Sequence, residues 1–180
     1  NRRNSNASVG AALCAAEITE CPLRMRHRTS PPIEVRNVQR NVRVSTPSLQ
    51  RFANTACALV WGHKRPRAEI ASVPEITVLI VSDRRIVALH QEFCGLAGPT
   101  DVLTFRHGEI VISAETAARQ AKMFRSSLAG EIRLYLLHGL LHLAGYDHEI
   151  STADAEAMEA LETKALAICG IADPYGDRVS

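Results

Sequence analysis

The chain has 180 residues, 46% hydrophobic and 22% charged, the composition of a single globular domain with room for a real core. No uncharged apolar run approaches the ~18 residues of a membrane-spanning helix, and aromatics at 4% are too few for a broad base-stacking surface. The net charge of +2 hides a split, because residues 1–67 carry +9 and residues 68–180 carry −7, the asymmetry of a basic arm or face that meets a polyanion.

Residues 1–31 are rich in Asn, Ser, Arg and Ala without a period and read as a disordered basic extension. Glu17 and Glu20 interrupt the weak apolar stretch there, which fits neither a secretory signal nor a transit peptide; residues 1–24 read either as an unstructured extension or as translated sequence upstream of a true start at Met25. Cys14, Cys21, Cys57, Cys94 and Cys169 are odd in number, scattered and without a CxxC pair, so a reducing compartment is expected. After Pro31-Pro32 the alternation in IEVRNVQRNVRV predicts one strand or two short ones. Thr46-Pro47 reads as an N-cap with Pro at the first helical position, leading a helix over 48–61. A basic loop over 62–75 leads to ITVLIVS, an apolar run suited to a buried central strand. Ser82 or Asp83 caps a helix over 84–93, and 94–100 is a loop. Two short strands, 101–105 and 109–113, are joined by a very tight connection.

The second half reads as helical. Ser113 is the expected N-cap of a helix to residue 124. The segment 129–144 is apolar almost all round and should be a buried central helix. Ser151 or Thr152 starts a last helix, with Gly170 as its C-cap. The sum is an α+β domain over 32–172, a small mixed β-sheet with a buried central helix behind it, followed by a tail over 173–180.

Residues 138–148 read HGLLHLAGYDH. His138 and His142, four apart on a helix, share a face about one turn apart. Gly145 can take the positive φ that ends the helix and turns the chain back, and His148 then completes a triangle of imidazoles. Three neutral imidazoles and an open fourth position are the ligand set of a catalytic zinc, and three buried rings without a ligand would leave six ring nitrogens to satisfy. Asp147 and Glu131 are candidates to orient the rings. The spacing is that of metzincin peptidases, in which the second residue is a Glu general base; Gly139 stands there and argues against amide hydrolysis.

HGLLHLAGYDH closely resembles the H-G-x-L-H-L-x-G-Y-D-H signature of the YbeY-type endoribonucleases. PTDVLTF at 99–105 and GEIVIS at 108–113 are similar to further family segments, Glu131 and Met158 fall at matching places, and the likeness spans about 33–170. The resemblance implies a compact α+β fold, one Zn²⁺ ligated by His138, His142 and His148, and cleavage of single-stranded RNA. It further implies maturation of small-subunit (16S) ribosomal RNA, ribosome quality control, a cytoplasmic location, and the ribosome or its assembly factors as partners, with no membrane. The catalytic group is the metal-bound water, and His138 is carried both as ligand and as catalytic candidate; attack by that water or by the 2′-hydroxyl of the RNA stays open.

Two departures from the family pattern stand out. His90 replaces an Asn, and Cys94 replaces an Arg whose charge would stabilise the phosphoryl oxygens. The short connection after Phe105 offers Arg106 as a substitute phosphate contact, with Arg84, Arg85 and the Lys64–Arg67 cluster as further candidates for a positive groove. Cys94 also keeps a second expectation in view, a ribosome-assembly or RNA-binding factor with weak or no nuclease activity.

Overall fold

In a computed structural model, which describes residues 29–148 and 151–168, the apolar run becomes strand β2 (Ile76–Val81) at the centre of a four-stranded sheet. The extension up to residue 28, Met25, Cys14, Cys21, Cys169, the cap at Gly170 and the 173–180 tail lie outside the described residues. Strand β1 (Ile33–Asn37) pairs parallel with β2 on one side. On the other side β4 (Glu109–Ser113) pairs parallel with β2 and antiparallel with β3 (Val102–Phe105), giving the order β1-β2-β4-β3.

Five α-helices complete the described chain: α1 (Thr46–His63), α2 (Asp83–Cys94), α3 (Ala114–Met123), α4 (Leu128–Leu143) and α5 (Thr152–Ile168). The expected α+β architecture forms, with the elements in the expected order and α4 buried against the sheet. Period-two alternation sends Ile33, Val35, Ile76, Val78, Ile80, Ile110 and Ile112 into one core shared with α1, α3, α4 and α5. Val81 and Val111 point to the opposite face, where only a smaller cluster around Ile86 of α2 covers them. Because helices pack on both faces of β2, its sequence is apolar without alternation.

Three local expectations are corrected. The Val-rich alternation after Asn37 does not continue as strand, because the Gln39 side chain takes over the backbone pairing: it donates to the Val42 carbonyl at 2.8 Å and accepts from the Val42 amide at 2.9 Å. The first α1 cap position is Ser45, one residue earlier than Thr46, and the helix runs on to His63. The 62–75 stretch is also more than a loop. It holds a 3-10 turn, Glu69–Ala71, whose Ile70 is fully buried in the main core.

Candidate metal centre

The metal candidates lie where α4 ends. Ala144 is the last, half-helical residue, the Gly145 amide donates to the His142 carbonyl at 2.9 Å, and the Tyr146 amide donates to the Leu141 carbonyl at 3.0 Å. This pair of bonds is the Schellman motif, which needs a left-handed residue after the cap; Gly145 has φ +87°. The turn folds the chain back over the helix, and His148 comes to rest beside the two helical histidines. The ring centroids of His138 and His142 are 4.7 Å apart, with His148 at 5.2 and 5.4 Å from them. One nitrogen from each ring falls within 4.8 Å of the other two.

That donor set fits a tetrahedral ion. Zn–N bonds of about 2.0–2.1 Å place ligand atoms roughly 3.3 Å apart, and the Nε2 atoms of His138 and His142 are 3.1 Å apart. Burial, followed by the neighbouring His138 and His148, pushes the His142 pKa below its usual value, so the neutral imidazole that a metal requires is the favoured form. A three-histidine group of this kind can bind a metal ion.

The turn is pinned from outside, in part by Arg65 of the Lys64–Arg67 cluster, which takes up a structural contact here. The Arg65 amide donates to the Ala144 carbonyl at 2.9 Å, and its guanidinium lies 4.5 Å from the centre of the Tyr146 ring and pairs with Asp154 of α5. The Tyr146 hydroxyl donates to the His63 carbonyl at 2.7 Å. The segment after α1, the turn and α5 are thereby tied together at the Arg65 cation.

An open cleft of about 790 Å³ leads to the three rings. Asp147 lines it, and its negative charge works against the fall of the His142 pKa. Arg106 also lines it, at the β3–β4 turn, with its side chain 92% exposed and 3.7 Å from Glu69. Its neighbour His107 turns to the other side of the sheet, stacked on Phe105 in a groove that includes Phe93 and Arg85. Arg85 therefore belongs to the face opposite the histidines. Cys94 is exposed at the end of α2, and His90 donates from Nδ1 to the Gly98 carbonyl at 3.0 Å. Neither residue lines the histidine cleft.

Glu131 is buried in the first turn of α4 and accepts from the Ser126 hydroxyl. The carboxylate on the His138 ring is a different one: Glu162 of α5, whose Oε1 lies 2.8 Å from Nδ1 of His138. A signal for it exists in the sequence. Met158, Glu162, Ala165 and Leu166 form a buried stripe at helical spacing with one carboxylate inside it.

Gly139 has a structural reason to be there. A Cβ at this position would lie 2.8 Å from Cγ2 of Ile110 and 2.9 Å from Oγ1 of Thr104. The residue after the first histidine faces the sheet, so a glutamate general base has no room at that place.

Comparison with known proteins places this geometry. The family described as Endoribonuclease YbeY matches residues 34–170. An Endoribonuclease YbeY of Erythrobacter litoralis is 43% identical over 122 residues, covering 58% of this chain and 76% of the relative. Another, of Sphingopyxis alaskensis, is 38% identical over 130 residues, covering 62% and 77%. A third, of Gluconobacter oxydans, is 34% identical over 139 residues, covering 74% and 81%. Among solved structures, the solution structure of TM1509 from Thermotoga maritima aligns with a TM-score of 0.54 at 26% identity, over 77% of this chain and 91% of that one.

Proposed function

The chain belongs to the YbeY endoribonuclease family, a family of metal-dependent hydrolases, and from that premise we propose that it is a zinc nuclease of single-stranded ribosomal RNA. Its work is maturation of small-subunit (16S) RNA and ribosome quality control, in the cytoplasm, with the ribosome or its assembly factors as partners. The observation that carries this reading is the convergence of His138, His142 and the exposed His148 in a cleft that Arg106 also lines.

His138, His142 and His148 would hold the zinc, which supplies Lewis acidity toward a phosphate oxygen and an acidified water. Arg106 contacts the phosphate that the substrate brings over the cleft, in the role that Cys94 cannot fill. Its guanidinium is exposed at the cleft, with Glu69 at 3.7 Å. Asp147 adds a negative charge beside His142 and favours a cation there.

A second reading, an RNA-binding assembly factor with weak or no cleavage, is favoured by one observation: Cys94 brings no positive charge and stands away from the cleft. One experiment separates the two. The zinc-loaded full chain is incubated with a single-stranded 16S fragment beside His142→Ala purified identically. Cleavage that disappears in the variant and with chelator supports the nuclease. Binding without cleavage by folded, zinc-loaded protein overturns it in favour of the assembly factor.

A further inference from the structure

Glu162 is 5% exposed, on the buried stripe of α5 between Met158 and Ala165. A carboxylate in such a place loses its hydration, which is costly unless its oxygens are matched by donors. The His138 ring supplies one, with Nδ1 at 2.8 Å from Oε1. A carboxylate only accepts, so Nδ1 carries the hydrogen, and the lone pair of His138 is left on Nε2. That atom is the one facing His142, 3.1 Å from its Nε2. The ring is held from behind in the tautomer that a metal in front requires.

We propose that Glu162 is a positioning residue of the metal centre: it fixes the tautomer and rotation of His138 and strengthens its Nε2 as a donor before any ion arrives. This inference rests on the metal-centre reading above and adds a residue from another helix to it. Such an outer carboxylate typically changes metal affinity by about 10–100-fold. It also gives a reason for a buried acid on an otherwise apolar stripe, since its oxygen is matched by the His138 ring.

The test uses the full chain and three variants, Glu162→Met, Glu162→Gln and Glu162→Asp. Met keeps the volume without the charge, and Gln keeps an acceptor without the charge. Zn²⁺ affinity is measured by competition with a chromophoric chelator, melting temperature is followed without metal, and the tautomer of His138 is read from ¹⁵N shifts of the metal-free protein. In Glu162→Met the expected result is a zinc affinity about 10–100-fold weaker and a loss of the Nδ1–H tautomer at His138, the metal-free melting temperature serving to show that the variant is folded. Glu162→Gln should retain the tautomer and lose less affinity, and Glu162→Asp should fall between. Unchanged affinity and tautomer in folded Glu162→Met overturn the proposal. If the parent chain itself binds no zinc, the metal-centre reading fails, and the tautomer measurement still decides whether Glu162 sets the His138 ring.

Discussion

Gly139 follows His138 in the chain yet faces the sheet, so its substitution reports packing more than chemistry. Alanine in a helix gains about 1 kcal/mol over glycine, but a Cβ 2.8 Å from the branched Ile110 is overpacked, and overpacking costs typically 1–3 kcal/mol. Gly139→Ala should therefore lower the melting temperature by a few degrees, and differential scanning calorimetry would show it. At Arg106 the expected effect is on RNA. Losing a charge-assisted phosphate contact of about 1.5–3 kcal/mol corresponds to roughly 10–100-fold, so Arg106→Ala should weaken RNA binding by at least tenfold with no loss of fold. Filter binding at fixed salt measures it, and unchanged affinity would return Arg106 to the role of an exposed turn residue. His142 sets a pH dependence. Its folded pKa lies below the unfolded value of about 6.5, so in that interval the unfolded chain binds more protons. Metal-free stability should be undiminished by this group above the unfolded value and should fall as pH drops toward the folded one. His142→Gln should flatten that part of a melting-temperature profile between pH 7.5 and 5.

At the scale of elements, the start of α2 and the start of α3 exchange carboxylates. Asp83 accepts from the hydroxyls of Ser113 and Thr116 and pairs with Arg119, while Glu115 accepts the backbone amide of Asp83 in return. Burial alone would raise the Asp83 pKa, but the bonds from Arg119, Ser113 and Thr116 outweigh it and hold the acid below its ordinary range. Stability from this joint is present above the unfolded carboxylate pKa and is lost as pH falls through the folded value. Asp83→Asn should destabilise by about 1–3 kcal/mol at pH 7 and by much less at pH 3, read from urea midpoints. What could be read in advance follows the same scale. Strand β2 and helix α4 were legible because a single buried element writes an uninterrupted apolar run, and Gly145 was legible because few residues end a helix that way. The turn after Asn37 was not, since Gln39 captures Val42 by side-chain bonds that leave the Val alternation looking like a strand. Glu162 was missed for a related reason. Its meaning depends on α5 docking beside α4, a long-range fact, whereas the histidines advertise themselves within one helix and its turn.

Across the whole molecule, the sheet divides two surfaces. The histidine cleft with Arg106 opens on the side of α4, and the groove with Phe93, Phe105 and His107 opens on the side of α2. At the β3–β4 turn the neighbours Arg106 and His107 line different ones, Arg106 the cleft and His107 the groove. The three candidate ligands, by contrast, are gathered into the eleven residues 138–148. A span this short closes at little entropic expense even in a denatured chain. A metal ion should therefore have some affinity for the unfolded polypeptide as well, and ligand binding to both states would cancel part of the stabilisation that mass action would otherwise give. The gain in melting temperature at saturating zinc should fall short of the value that the native dissociation constant alone dictates, and a zinc titration of a peptide spanning residues 138–148 would measure the missing part. Glu162, far along the chain, is a contribution that the denatured state lacks, so part of the folded protein's metal affinity should depend on the docking of α5 beside α4.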